Sequence, residues 1–125
     1  MDILQAGIKG YGEQVVESKD TAKAYGSGLV EVYATPAMIG LIENTAHISV
    51  SGALPEGCIS VGTLVNIEHL RATPLGEKVW CETVLDAING RKLLFSVAAF
   101  DSKGLIGKGI HERFVVNTEK FMSKL

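Results

Sequence analysis

Cysteines and long apolar runs are both scarce in this 125-residue chain. Its two cysteines, Cys58 and Cys81, have no spacing typical of metal ligands, and a chain of this size needs no disulfide. We interpret them as small buried residues in a reducing compartment and expect a cytoplasmic protein. No apolar run approaches the roughly 18 residues that a membrane-spanning helix requires. We therefore expect no membrane as a partner.

A strong charge of either sign is also missing. The chain has 12 basic and 14 acidic residues, with a formal net charge of −2, and both signs are interspersed. This balance gives no basic surface of the kind that binds nucleic acid or an anionic membrane. The first five residues, MDILQ, lack a basic region followed by an apolar core, so we expect no signal peptide. The apolar and charged fractions, 46% and 21%, are typical of a globular protein, and residues 1–125 are expected to form one domain.

The segment that begins at Thr35 predicts one long helix. Thr35 is a good N-cap, and Pro36 suits the first helical position because its missing N–H costs nothing there. Gly52 and Pro55 should end the helix at about Ser51. An apolar stripe follows at three- and four-residue spacing, formed by Ala34, Met38, Leu41, Ile42, Thr45 and Ser49.

Strands are predicted on both sides of this helix. We expect a first strand over residues 10–18, a loop over 20–29 and a short extended piece over 29–34. After Cys58 apolar residues alternate with a period of two, so that Ile59, Val61, Val65, Ile67 and His69 should share the face toward the helix. Further strands over 78–88, 92–100 and 105–116 follow turn signals, of which Asn89-Gly90 is the strongest. These strands should form a meander, with an amphipathic end over 118–125.

This layout is of the α+β class. An antiparallel sheet of about five strands, wrapped around one long helix, buries the apolar faces of both and is known as the hotdog fold. Such an open sheet leaves unpaired edges and a partly apolar outer face carrying Ile106, Ile110 and Phe114. We therefore expect a homodimer or a higher even oligomer.

Three residues have side chains suited to hydrolytic acyl transfer. Thr35 supplies a hydroxyl, Glu43 a carboxylate and His69 a tunable base. Each also has a plain alternative: a helix cap for Thr35, a solvated helix carboxylate or a pair with His47 for Glu43, and a structural role for His69. From spacing alone these alternatives stay open.

The last strand adds a second candidate group. His111 and Arg113 point to the same side of it, and a guanidinium can hold a carboxylate or phosphate or form a cross-strand ion pair. A metal site built from His47, His69, His111 and Glu43 would match no known ligand motif, so we expect no metal.

Four ordered blocks of sequence carry a family resemblance. They are YATPAMIGLIE (33–43), SVGT (60–63) leading to EHLRATP (68–74), NGRKL (89–93) and IGKGIHER (106–113). Over roughly residues 29–121 the chain resembles the fluoroacetyl-coenzyme A thioesterase family of the hotdog superfamily. The resemblance implies hydrolysis of short acyl-CoA thioesters without a metal or other cofactor, by homodimers with sites near the subunit interface. It places the catalytic threonine, glutamate and histidine on Thr35, Glu43 and His69, and the substrate contacts on Gly62 and Arg113.

One segment departs from this family. The specialised fluoroacetate enzyme has bulky aromatic residues that shape a lid before the helix, whereas this chain has Gly26, Ser27, Gly28 and Leu29. We therefore expect another acyl group as substrate. Two alternatives remain at this point: a catalytically silent module that binds acyl thioesters, and a hotdog hydratase or dehydratase.

Overall fold

The computed structural model describes residues 3–125, so Met1 and Asp2, where the signal-peptide expectation begins, lie outside the described residues. The long helix, α2, spans Thr35–Ser51 as predicted. The strands are β1 (Lys9–Val15), β2 (Cys58–His69), β3 (Lys78–Asn89), β4 (Lys92–Asp101) and β5 (Gly104–Asn117), and the predicted amphipathic end is helix α3 (Thr118–Ser123). None of the described helices is long and apolar enough to cross a membrane.

The predicted loop over 20–29 is wrong in part, because it contains a short helix, α1 (Ala22–Tyr25), preceded by a 3-10 turn (Ser18–Asp20). The side chain of Thr21 accepts a hydrogen bond from the amide of Ala24 and so caps α1. Gly26 ends the helix with a φ of 74°, in the left-handed region that glycine adopts at little cost. Single helical turns of this length give almost no periodic signal in a sequence.

The five strands form one antiparallel sheet in the order β1-β3-β4-β5-β2. Strands β3, β4 and β5 follow one another as a meander, but β2 does not join β3, so the prediction of a meander through all four strands is wrong. Helix α2 lies across one face of the sheet and carries the chain over it before β2 begins. Strand β2 therefore pairs with β5 and forms one edge of the sheet, and β1 forms the other.

The core lies between α2 and the sheet. Alternate residues of β3 and β4 are buried, as a period of two predicts for strands with one covered face. The Sγ of Cys81 lies 3.0 Å from Thr45 Oγ1 on the helix. Both cysteines are free. The buried apolar residues of these elements are Ala37, Met38, Ile42, Ala46 and Val50 on α2, with Val79, Cys81, Leu85, Leu93, Phe95, Val97 and Ala99 on the sheet.

A β-bulge in β2 changes which residues face the helix. The pairing of β2 with β5 shifts between Gly62 and Leu64, leaving Thr63 as the extra residue. Opposed residues of an antiparallel pair share a face, and Gly62 pairs with Arg113 while His69 pairs with Gly107. Gly62 and His69 thus both lie on the helix side. The predicted alternation is right for Val65, Ile67 and His69, but Ile59 and Val61, before the bulge, lie on the opposite face.

The exposed outer face is smaller than predicted. Ile110 and Phe114 are 47% and 37% exposed, but Ile106 is fully buried. The pairing of β4 with β5 shifts between Ala99 and Phe100, beside Ile106. A register shift of this kind turns neighbouring side chains to the other face of a sheet, which accounts for the error.

A buried carboxylate fixes the segment that follows β2. The guanidinium of Arg71 donates two hydrogen bonds to Asp101, of 2.6 and 3.2 Å, and the hydroxyl of Thr73 donates a third, of 2.7 Å. The amide of Lys103 donates a fourth, of 2.8 Å. This set joins residues 71–73 to the turn between β4 and β5. It therefore holds the chain directly after His69.

Candidate active site

Thr35 is the first residue of α2 and not its cap. Ala34 occupies the N-cap position and makes no side-chain capping bond, so the expectation that Thr35 caps the helix is wrong. The hydroxyl of Thr35 is directed instead at the end of β2, where its Oγ1 lies 2.8 Å from His69 Nδ1. A hydroxyl this close to an imidazole nitrogen is in position to lose its proton to that ring.

His69 is held by the hydroxyl of Thr35 on one side and by the ring of Tyr33 on another. The ring of Tyr33 packs edge-on against it, with centroids 6.4 Å apart and planes at 80°. Tyr33 is itself buried and donates a 2.7 Å hydrogen bond to Gln14 Oε1 on β1. Burial lowers the pKa of His69, and the backbone of Arg71 partly offsets this effect. The imidazole is therefore neutral at physiological pH, as a general base must be.

A cleft of about 350 Å³ opens beside this pair and contacts both Thr35 and His69. The first turn of α2 borders it, and no backbone acceptor within residues 3–125 is assigned to the amides of Thr35 and Ala37. Free amides at a helix N-terminus stabilise negative charge. The cleft thus combines a hydroxyl and a base beside the N-terminus of a helix. Its lining residues are Ala22, Ser27, Val32, Tyr33, Thr35, His69, Leu70, Arg71 and Ala72.

A second polar group surrounds Glu43, further along α2. Arg113 Nη1 lies 3.7 Å from Glu43 Oε2, and the side chains of these residues are 7% and 42% exposed. The guanidinium also donates from Nε to Ser60 Oγ at 2.8 Å and from Nη2 to the Ser60 carbonyl at 2.9 Å. The ion pair of Arg113 is therefore with Glu43 on the helix, whereas its hydrogen bonds to Ser60 join it to the neighbouring strand β2.

Gly62 makes the close approach of Glu43 to the sheet possible. A Cβ at this position would lie 2.5 Å from Glu43 Oε2 and 3.3 Å from Arg113 Nη1. Any larger residue would push the carboxylate away from the guanidinium. A small cleft of about 190 Å³ is lined by Glu43, Gly62, Thr63, Leu64, Val65 and His111.

The predicted site residues thus form two groups in one chain. Thr35 and His69 are in contact, and Glu43, Gly62 and Arg113 are in contact, but no hydrogen bond or ion pair within residues 3–125 joins the two groups. Glu43 is eight residues beyond Thr35 on the same helix, a rise of about 12 Å. Neither does an ion pair join Glu43 to His47 in the described part of the chain.

Comparison with known proteins identifies the family to which this architecture belongs. The family model described as fluoroacetyl-CoA-specific thioesterase matches residues 16–119. The fluoroacetyl-CoA thioesterase of Streptantibioticus cattleyicolor is 39% identical over 95 residues, which cover 76% of this chain and 68% of that enzyme. The chain belongs to the fluoroacetyl-CoA-specific thioesterase family.

Solved structures agree with this assignment. A structure of the fluoroacetyl-CoA thioesterase FlK superposes with a TM-score of 0.91 at 33% identity, covering 98% of this chain and 96% of that one. A Thermus thermophilus protein described as a thioesterase superfamily member superposes with a TM-score of 0.90 at 26% identity, covering 99% and 92% of the two chains. The predicted hotdog fold and the predicted family are therefore confirmed.

Sequence reasoning missed several residues that hold these groups in place. In the sequence Tyr33 is only one residue of a matching block, yet it packs against His69. Ser60 is likewise only part of a matching block, yet it accepts two hydrogen bonds from Arg113. Its position two residues before Gly62, on the same face of β2, was the available signal. Nothing in the sequence marks Asp101 as the partner of Arg71.

Proposed function

We propose that this chain hydrolyses short acyl-CoA thioesters to a free acid and coenzyme A, using Thr35, Glu43 and His69. The observation that carries the proposal is the 2.8 Å contact between Thr35 Oγ1 and His69 Nδ1 in a cleft at the start of α2. Membership in a thioesterase family and the superposition on FlK support it. One related structure is described as a complex of an FlK variant with acetyl-CoA, which supports the same class of substrate.

The chemistry follows from where charge develops. As the thioester carbonyl is attacked, its oxygen becomes negative, and the free amides of Thr35 and Ala37 would stabilise it, together with the Gly62 amide of a second copy, since Gly62 of the same chain belongs to the other group. His69 would take the proton of the attacking group and return it to the departing thiolate of coenzyme A. Water supplies the hydroxyl of the acid product. The attacking group is Thr35, a water that Thr35 and Glu43 position, or the Glu43 carboxylate. Thr35 or water would lose its proton to His69 on attack. The carboxylate has no proton to lose, so on that route the thiolate would take a proton from solvent and His69 would act only on the water that hydrolyses the acyl intermediate.

We further propose that the active form is a homodimer in which a second copy completes each site. Strand β2 is an edge strand of 12 residues, and Leu64 and Val65 in its middle are 40% and 44% exposed. Two such edges can pair antiparallel about their centres. This arrangement would bring the Gly62 end of one strand beside the His69 end of the other. Glu43 of one copy would then approach Thr35 and His69 of its partner.

One assay tests the proposal and separates it from the alternatives. The wild-type protein and Thr35→Val are incubated with acetyl-, propionyl-, butyryl- and crotonyl-CoA, and free thiol is measured with and without a chelator, together with thioester binding and hydration of the crotonyl double bond. We expect release by the wild type only, at a rate that the chelator leaves unchanged. Binding without thiol release would indicate a silent acyl-CoA-binding module. Hydration of crotonyl-CoA without thiol release would indicate a hydratase, and restoration of a chelated enzyme by zinc would contradict a metal-free site.

A further inference from the structure

His111 is a fully buried histidine that the proposed chemistry does not use. It lies on β5 two residues before Arg113, on the same face of the sheet, with its ring stacked near Phe95 at a centroid distance of 6.1 Å. A buried imidazole requires hydrogen-bond partners for its two nitrogens. Both partners are present, and together they fix the state of the ring.

The hydrogen bonds of His111 leave one tautomer. Nδ1 lies 2.8 Å from the carbonyl oxygen of Leu64, which can only accept, so Nδ1 carries the proton and donates it. Nε2 lies 3.2 Å from Arg113 Nη1, which can only donate, so Nε2 is unprotonated and accepts. The ring is therefore neutral. It connects the backbone just after the bulge in β2 to the guanidinium on β5.

This acceptor completes the set that orients Arg113. Ser60 binds Nε and Nη2 on one side of the guanidinium, and His111 binds Nη1 on the other. Glu43 then lies beside the same Nη1, at 3.7 Å. Without His111, that end of the guanidinium would keep only its longer contact with Glu43. A guanidinium whose three nitrogens are all hydrogen-bonded has a fixed orientation and can present a donor to a ligand in a fixed direction.

Protonation of His111 would break this arrangement. A proton on Nε2 would replace the acceptor with a donor and place a second positive charge beside Arg113. The charged groups that face the ring are Arg113 on the same strand and Glu43 on α2. Burial lowers the pKa of His111 and Arg113 acts in the same direction, while the hydrogen bond to the Leu64 carbonyl and the charge of Glu43 oppose them in part. The neutral ring is therefore the state present above the ordinary histidine pKa of 6.5.

We propose that His111 is a positioning residue that holds the Arg113 guanidinium toward the acyl group of the substrate. The inference rests on the proposed function, because it takes Arg113 as a contact of bound acyl-CoA. His111 contacts Arg113, and its Cε1 atom would lie 3.4 Å from a Cβ at position 62, so the ring also lies beside Gly62. It acts on the ligand only through the orientation of Arg113.

Two replacements separate a hydrogen-bonding role from a packing role. His111→Gln keeps one donor and one acceptor and cannot titrate, whereas His111→Leu fills the space without an acceptor. His47→Leu, at an exposed position of α2, is the control. The probe is acetonyl-CoA, a thioether that cannot be hydrolysed, and its dissociation constant is measured together with the unfolding temperature of each variant. We expect His111→Leu to weaken binding about 10- to 100-fold, as loss of a hydrogen bond to a charged group predicts. His111→Gln should recover most of this loss, and His47→Leu should bind like wild type.

The pH dependence of binding supplies a readout that packing alone would not move. Acetonyl-CoA should bind wild type more weakly as the pH falls below 6.5, while binding to His111→Gln should lose this weakening and binding to His69→Gln should keep it. Equal loss of binding in His111→Leu and His111→Gln, or unchanged binding in His111→Leu, would overturn the proposal. If the wild type binds the probe with this pattern but releases no thiol from acyl-CoA, the hydrolytic function fails and the role of His111 stands.

Discussion

Thr35 Oγ1 and His69 Nδ1 lie 2.8 Å apart although the two residues are 34 positions apart in the chain. The contact exists because α2 begins beside the end of β2, and because Ala34, not Thr35, occupies the N-cap. A threonine that capped the helix would direct its oxygen at the backbone amides two or three residues later. The first helical position leaves the hydroxyl free for the imidazole.

Thr35→Val should therefore lower kcat strongly while leaving the fold intact. Valine keeps the branched shape but removes the hydroxyl, and loss of a nucleophile or water-positioning group lowers kcat by about 100-fold or more. Thr35→Ser keeps the hydroxyl and should retain most activity. Steady-state kinetics of thiol release from acetyl-CoA would measure both. Equal activity in the valine and serine variants would show that the hydroxyl takes no part.

His69→Ala should lower kcat by roughly 100-fold or more, as removal of a general base does. Burial lowers the pKa of His69, so the base form is present above pH 6.5 and is lost as the pH falls through the folded-state value. The activity of the wild type should fall on acidification accordingly. His111→Ala should act mainly on substrate affinity or stability. Equal, large losses of kcat from both substitutions would mean that the general base cannot be assigned to His69 in preference to His111.

The fold was predictable mostly where a pattern is local. The helix from Thr35 to Ser51 and the hairpin at Asn89-Gly90 follow from capping, glycine and periodicity, and both are as predicted. The order of the strands was not, because pairing of β2 with β5 depends on how α2 carries the chain across the sheet. The face of Ile59 was mispredicted because a single bulge residue, Thr63, reverses the alternation before it.

The candidate site divides in the same way. The pairing of Thr35 with His69 was expected from their elements and from the family resemblance. The separation of Glu43 from that pair within one chain was not expected. Glu43 lies eight residues after Thr35 on α2, and the sequence does not show which part of the sheet each of these two residues faces. Arg113 was marked by the resemblance, and alternation along β5 already places His111 on its side of the strand, but its partner Ser60 lies 53 positions earlier and is brought to it only by the pairing of β2 with β5.

Asp101→Asn should destabilise the protein. The carboxylate accepts hydrogen bonds from Arg71, Thr73 and Lys103 at a position where it is only 4% exposed. The amide cannot accept from all of these donors, and the loss should be about 2–3 kcal/mol near pH 7, since Arg71 is partly solvated. Urea unfolding measures it, and Glu56→Gln, at an exposed position, is the control.

At low pH the difference in unfolding free energy between Asp101→Asn and wild type should disappear. Burial raises the pKa of Asp101, but the hydrogen bonds from Arg71, Thr73 and Lys103 outweigh burial and lower it below its usual 3.8. Its contribution to stability is therefore complete above pH 3.8 and is lost as the pH falls through the folded-state value. A gap in unfolding free energy that stays constant down to pH 2 would contradict the assignment of the charge.

Val65→Asp should convert a dimer into a monomer and abolish thiol release. Val65 lies in the middle of edge strand β2 and is 44% exposed, and a charge there would be buried on pairing of two such edges. Val15→Asp on the opposite edge, β1, is a matched control because that valine is 50% exposed. Sedimentation velocity and the thiol assay give both readouts. A monomeric wild type with full activity would show that one chain holds a complete site.

Fluoroacetyl-CoA should not be strongly preferred over acetyl-CoA, even though the family is described by that substrate. Discrimination between acyl groups so similar in size requires a dry, rigid pocket, and small steric differences contribute only about 1–3 kcal/mol. In this chain Ser27 lines the cleft beside Thr35 and His69, between Gly26 and Gly28, and Leu29 is 93% exposed. Side chains this small cannot form rigid walls over the acyl group.

The ratio of the two specificity constants, measured by competition, decides the question. A ratio of roughly ten-thousandfold in favour of the fluorinated substrate, far beyond a small steric difference, would show that selectivity arises elsewhere, and the Glu43–Arg113–Gly62 group would be the next place to test.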